Sequence, residues 1–209
     1  MATHTEGRPA ASPVPAPPGR PRDPGIDRAV LDAAVELLGR DGFAGMSMAA
    51  VAERAGVGKP TVYRRYTSKA DLATAAVADL AAAEPEPDTG TARGDAVAFL
   101  RTFQRSYLRP NGPALLGTVL AEEHRTPELV ARFRDRLVGP RRARLRRLLE
   151  RGQARGEVAA DADLDAAVST LVGAVYARHL ADGGVPADWP ERTVALVWPA
   201  LAAAPAGTP

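Results

Sequence analysis

Gly58-Lys59, with Thr61 two places on, has the look of a phosphate-cradling loop, which would make the chain a nucleotide-using enzyme. That chemistry needs Gly-x-x-x-x-Gly-Lys-Ser/Thr behind a buried strand, so that backbone N–H groups surround the phosphates and the hydroxyl meets Mg²⁺. Glu53 stands where the first glycine belongs and Pro60 where the hydroxyl belongs, and the residues before them have a helical pattern. A carboxylate in the cradle would repel phosphate, so the nucleotide reading fails. The other sources of chemistry are equally thin. His4, His124 and His179 are scattered, and Glu122, Glu123 and His124 are adjacent residues that do not share a helix face. No Ser/His/Asp set occurs at a recognisable spacing. The absence of cysteine excludes disulfides, thiol nucleophiles and Cys-ligated metals. The expectation is a protein with no catalytic residues, no metal and no cofactor, and not an enzyme.

The same stretch fits a helix-turn-helix. Ala52 is small enough for two helices to cross closely, and Gly56, four residues on, suits a left-handed turn. Val51, Val57 and Val62 can hold both helices on a core, with Tyr66 inward beside Val62. Lys59, Thr61, Tyr63 and Arg64 are left on the outer side of a short helix. The formal net charge is only +2, so total charge argues nothing about nucleic acid, but local charge does. Between Arg54 and Ala70 stand five basic residues and no acidic one. A short helix carrying exposed Lys, Thr, Tyr and Arg can enter a major groove, meeting base edges and flanking phosphates.

Several elements must position that helix. Residues 1–25 hold seven prolines and few large apolar side chains, which predicts a disordered tail ending in the basic Gly19-Arg20-Pro21-Arg22. Ile26, Val30, Ala33 and Leu37 mark a first helix, stopped by Gly39 and Gly42. Ser47 caps a second, Met48–Ala55, and a third starts at Lys59-Pro60. Ser68-Lys69-Ala70-Asp71 is a capping box opening a fourth that runs to about Ala83. The sequence EPEPDTG (84–90) then separates a first region, 26–83, from a second, 84–205. The second region predicts a helix through Ala96, Leu100, Phe103 and Tyr107, a turn at Asn111-Gly112-Pro113 and a helix over Ala114–Glu123. It continues with a long segment from Pro127 to Gly156 broken at Gly139-Pro140, then Leu164–Leu180 and Asp188–Leu201. No period-two alternation appears, so the fold class is all-α. The longest charge-free run, Ala166–Ala177, falls far short of the ~20 residues that cross a bilayer. No apolar leader opens the chain. A cytoplasmic protein without a membrane partner is expected.

The stretch IDRAVLDAAVELLGRDGFAGMSMAAVAERAGVGKPTVYRRYTSKADL, closing at Leu72, resembles the TetR/AcrR-type bacterial transcriptional regulators. The likeness is carried by Gly42-Phe43 to Ser47, AERAGV, TVYRRY and SKADL. Where family members usually end the third helix with a Tyr-x-His-Phe-like sequence, this chain has Arg64-Arg65-Tyr66. The resemblance implies an N-terminal three-helix DNA-binding domain, with a connecting helix over 68–83, and a C-terminal helical domain for ligand binding and dimerisation. It implies a repressor that binds a palindromic double-stranded operator as a homodimer and is released by a small apolar or aromatic effector. The DNA-binding set is Arg20, Arg22, Ser47, Lys59, Pro60, Thr61, Tyr63, Arg64, Arg65 and Lys69, with Tyr63 and Lys69 on phosphates. The effector set is Phe99, Phe103, Tyr107, Phe133, Tyr176 and His179.

The dimer is expected from the sequence itself. Leu164, Val168, Leu171 and Val175 form one stripe, which Val172 and Tyr176 widen, and Val194, Val197, Trp198 and Leu201 form a second. A helix apolar around most of its circumference has more to bury than one core can cover, which predicts a four-helix seam between two chains. A different reading starts from residues 132–155, where ten arginines face only Asp135 and Glu150. That segment could serve a helical interaction module or an RNA-binding adaptor, whereas Leu145, Leu148 and Leu149 at helical spacing make it a helix with a solvated arginine face.

Overall fold

The computed structural model describes residues 23–82, 86–109 and 112–203. Arg20, Arg22, the rest of the tail to residue 22, the expected region boundary at 83–85 and Asn111 lie outside the described residues. Among the described residues there are ten α-helices and no strand, only an isolated bridge between Val158 and Ala202. No helix among them is long and apolar enough to cross a membrane.

The first helix, α1 (Pro24–Gly45), starts earlier than Ile26, because the Asp23 carboxylate accepts the Gly25 N–H at 2.9 Å and Pro24 is pre-set for a first turn. Two residues given to the tail are therefore helical. Gly39 does not stop α1, as expected, but lies inside it; the break comes at Gly42, whose φ of +68° only glycine adopts freely. That kink drops Phe43 and Met46 into a core with Val30, Leu37, Val51, Val62 and Leu72. The helices α2 (Met48–Arg54), α3 (Lys59–Arg65) and α4 (Lys69–Ala82) close this head, and Leu129, from later in the chain, enters the same core.

The body consists of α5 (Ala92–Tyr107), α6 (Gly112–Ala121), α7 (Pro127–Phe133), α8 (Gly139–Ala154), α9 (Leu164–Asp182) and α10 (Trp189–Val197). Phe99, Leu100, Phe103, Leu145, Leu148, Leu149, Leu171 and Val175 fill its centre. Gly152 is buried there because a Cβ at its position would lie 2.5 Å from the Ala92 Cβ and 2.8 Å from a Val158 methyl. The break expected at Gly139-Pro140 takes the form of a π-helical turn, Arg134–Val138, between α7 and α8. Proline cannot donate to the carbonyl four residues back and its ring crowds it, so the coil widens and the Gly139 N–H reaches the Arg134 carbonyl instead.

The expected dimer seam is corrected by this packing. Leu164, Val168, Leu171, Val172, Val175, Val194 and Leu201 are all buried in the core of their own chain, and Val197 and Trp198 pack partly buried against it. The Trp189 indole N–H donates to the Ala174 carbonyl at 3.1 Å, locking α10 onto α9 within one chain. The exposed side of α9 is instead Ala166, Ser169, Thr170, Ala177 and Leu180, and that of α10 includes Ala195 and Leu196. The arginines of 132–155 are largely engaged within the fold as well. Arg134 pairs with Glu123, Arg146 with Glu150 and Asp165, Arg147 and Arg151 with Glu86, and Arg155 with Glu157. This face is neutralised by nearby carboxylates, which removes the basis for an RNA-binding adaptor.

Head and body are joined at Asp71, in the first turn of α4, whose side chain is only 9% exposed. Its carboxylate accepts from the Thr67 N–H at 2.8 Å, the Thr67 hydroxyl at 3.2 Å and the Arg136 guanidinium at 2.6 Å, with Arg132 at 3.4 Å. Burial alone would push this carboxyl up, but the bonds from Thr67 and Arg136 outweigh it and hold it below the ordinary aspartate value of 3.8. A depressed folded value means the stabilisation is fully present above pH 3.8 and is lost as pH falls through the folded value below it. Asp71→Asn should therefore cost about 1.5–3 kcal/mol at neutral pH. The gap to the native protein in urea titrations should close below pH 3.8; a constant gap down to pH 2 would remove the charge from the account. Gly152→Val should be destabilising by about 1–3 kcal/mol through overpacking of α8 on α5, read as a lower urea midpoint.

Candidate functional site

Local chemistry shapes the outer face of the head. The Ser47 hydroxyl accepts the Ala50 N–H at 3.1 Å and so caps α2, leaving Ser47 itself exposed. At the other end Gly56 takes φ +67°, its N–H donating to Glu53 and the Val57 N–H to Ala52 at 3.0 Å. Gly58 then starts α3, with the Thr61 N–H on its carbonyl at 2.9 Å and Pro60 in the first turn. Val62 is fully buried and pins α3 to the core, and Tyr66 is half-buried next to it.

With Val62 inward, Lys59, Pro60, Tyr63 and Arg64 are exposed and Thr61 is half-buried at the edge. Tyr63 is 57% exposed, an aromatic ring left in water with no core to fill. Two expected members are engaged elsewhere. Arg65, its side chain 12% exposed, is ion-paired with Asp27 of α1 and ties α3 down instead of projecting from it. The Lys69 ammonium donates to the Phe43 carbonyl at 2.7 Å and lies 4.3 Å from the centre of the Phe43 ring, so it secures the end of α1. Among the described residues, the unpaired charge on the outer face is then Lys59 and Arg64, flanked by Arg54, which pairs with Glu36 on α1.

The body holds a second feature. Two recesses, of about 60 Å³ and about 310 Å³, share Leu116, Phe133, Leu137, Arg141 and Tyr176 in their walls. Of the six aromatic and histidine residues expected around an effector, Tyr107, Phe133 and Tyr176 line these recesses. Phe99 and Phe103 are corrected to core, since both are buried in the central cluster of the body. Phe103 meets Tyr176 edge-on at 5.5 Å, and His179 meets Tyr107 edge-on at 5.4 Å. Burial pushes the Tyr107 and Tyr176 hydroxyls up, Arg141 partly opposing this at Tyr176, so both stay neutral donors at ordinary pH. Sequence reasoning missed Ser106, Arg109, Leu116, Leu137 and Arg141. Arginines in a basic run and leucines on a helix carry no periodic signal that separates a cavity wall from a surface or a core.

Comparison with known proteins matches both parts of the chain. A model for the tetR family of bacterial regulatory proteins covers residues 30–76, and one for the tetracyclin repressor-like C-terminal domain covers residues 86–197. The uncharacterized HTH-type transcriptional regulator YdeS of Bacillus subtilis (strain 168) is 31% identical over 166 residues, 79% of this chain and 83% of that protein. The HTH-type transcriptional regulator AqdR of Rhodococcus erythropolis is 32% identical over 172 residues, 80% of this chain and 81% of that protein. The crystal structure of the TetR family transcription regulator SCO0332 superposes with a TM-score of 0.67 at 31% identity, covering 84% of this chain and 97% of that one. A left-handed turn that sets a short helix with an exposed polar face, in a chain matched along most of its length by regulators built this way, leads to one assignment: this protein belongs to the tetR family of bacterial regulatory proteins and is a helix-turn-helix transcriptional regulator.

Proposed function

We propose that the protein represses transcription as a homodimer that places two α3 helices on a palindromic operator, and that a small molecule held in the body releases it. The observation that carries the reading is the face of α3: Lys59, Thr61, Tyr63 and Arg64 turned outward on a helix anchored by buried Val62. Tyr63 and Lys59 supply phosphate contacts, which act on every duplex alike, while Thr61 and Arg64 reach base edges. Ser47 and Pro60 shape the approach, and Arg20 and Arg22, preceding α1 in sequence, join as flanking backbone contacts. Arg65 and Lys69 act indirectly, by holding α3 and α1 in place.

The dimer surface in this proposal is the outer side of α9 and α10, not the buried stripes. Ala166, Ser169, Thr170, Ala177 and Leu180 recur at helical spacing and are exposed, so a second backbone can approach closely. Leu180 is 82% exposed and Leu196 on α10 is 81% exposed, two large apolar side chains that a partner would cover. Two-fold pairing of these helices orients both reading heads alike, as a palindrome requires. The recess of about 310 Å³ lies in the range of small-molecule sites and is the place for an effector. Release requires that the effector bind the DNA-incompetent arrangement more tightly than the competent one.

Selection from random duplexes should return an inverted repeat. On that site, Thr61→Ala with Tyr63→Ala should weaken binding at least about tenfold, since neither residue supports the core. Arg64→Ala alone should shift base preference by about 1–3 kcal/mol at one position of each half-site. Unchanged gel-shift affinity in the double variant would move the reading surface away from α3. Leu180→Glu with Leu196→Glu should give a folded monomer by analytical ultracentrifugation with an unaltered helical circular dichroism spectrum, and weaker operator binding. A dimer that survives this change lies on another face.

A further inference from the structure

We propose that the effector is an organic acid: a molecule with an apolar or aromatic body and one carboxylate-class group, which Arg141 binds. This rests on the reading of the body recess as the effector site and names the chemical class that the site accepts.

The walls favour such a molecule in two ways. Most of the lining is apolar, with Leu116, Val130, Phe133, Leu137 and Val172 around the larger recess. Among the described residues that line either recess, the charged side chains are all arginines, namely Arg109, Arg134, Arg141 and Arg142, and none is a carboxylate. Arg134 is paired with Glu123 at 3.1 Å, Arg142 donates to the Ser169 hydroxyl at 3.0 Å, and Arg109 is exposed. Arg141 alone among the four lines both recesses. Its guanidinium lies 4.9 Å over the Phe103 ring and reaches the Ser106 hydroxyl at a long 3.4 Å. Tyr176 lines both recesses beside it. Arg141 and Tyr176 thus stand at the junction of the two recesses, with Ser106 and Tyr107 in the wall of the smaller one.

Physical chemistry then decides between ligand classes. A guanidinium on an aromatic face presents a planar fork that matches a carboxylate, and such charged hydrogen bonds are roughly twice as strong as neutral ones. A neutral apolar ligand would strip water from Arg141 and return nothing for it. A cationic ligand would meet the like charge of Arg141 at the junction of the recesses. Of these three classes, the acid is the one for which filling the apolar chamber and desolvating the arginine both come out favourably.

The test uses two matched series, decanoate with 1-decanol and decylamine, and 2-naphthoate with 2-naphthalenemethanol and 2-naphthylmethylamine. Calorimetry measures binding to the full chain, and gel shift measures operator release. The native protein should bind at least one acid about tenfold or more tightly than the alcohol of the same body, and the amines more weakly still. Arg141→Gln should erase the preference for acid over alcohol, and Arg141→Lys, which keeps the charge and loses the fork, should restore part of it. Alcohols that bind the native protein as tightly as the acids overturn the inference, as does an Arg141→Gln protein that keeps the preference. Absence of binding by all six overturns it too. An Arg141-dependent acid preference without operator release upholds the acid site and removes the release reading. Release by alcohols as effective as by acids upholds release and removes the acid.

Discussion

The carboxylate of Asp71 is the fixed point from which the rest of the structure is organised. It sits in the first turn of α4, the last helix of the head, and is nearly closed off from water, so it must be satisfied by hydrogen bonds. Two come from Thr67 within the head and two from Arg132 and Arg136 in the body. Arg136 also donates to the Asp71 carbonyl at 3.0 Å, so one guanidinium holds side chain and backbone of the same residue. The apolar packing around the joint is non-directional, with Leu129 in the core of the head and Val77 against Phe133 and Leu137. The angle at which the head leaves the body is set by the directional bonds.

That joint gains its importance from the element on its far side. Arg136 belongs to the π-helical turn, and its neighbour Leu137 lines both recesses together with Phe133 at the end of α7. One short segment therefore has a side chain on the head and side chains in the cavity wall. A π turn is a strained insertion held by its surroundings, and here Pro140 keeps it from relaxing to a plain α-helix. In the release reading, a molecule that displaces Leu137 or Phe133 works against the bond between Arg136 and Asp71. The distance from cavity to reading helix is then spanned by rigid elements, α4 and the head core, and needs no long chain of small shifts.

What could be read from the sequence and what could not divides along the range of the interactions. The head was legible because its signals are local: Ser47 caps three residues on, Gly56 needs a left-handed conformation, and Val62 with Tyr66 repeats at four. Even there, Gly39 was overread as a stop, since a glycine inside a helix costs only about 1 kcal/mol and packing against α4 and α6 offsets it. The stripe on α9 is legible as apolar, but the partner that buries it is not. Periodicity says that Leu171 and Val175 must be buried and is silent on whether α5 and α8 of the same chain or a second chain covers them. Arg65 with Asp27, and Arg136 with Asp71, join residues 38 and 65 places apart, and nothing in the composition around any of the four marks it as half of a pair.

The arginines make the same point about charge. In sequence, 132–155 is the most basic stretch of the chain and Lys59 to Lys69 a modest one, which invites the wrong ranking of the two surfaces. In the fold, Asp71, Glu86, Asp95, Glu123, Glu157 and Asp165 gather around the first stretch from elsewhere in the chain, join Glu150 within it, and cancel most of it. Asp27 takes Arg65, but no carboxylate among the described residues neutralises the outer face of α3, where Lys59 and Arg64 stand exposed. Field strength at a surface depends on the charge left after pairing, and pairing is a property of the tertiary structure. The less basic segment thus presents the field that a polyanion meets, while the more basic one contributes Arg136 to the joint and Arg141 to the recess.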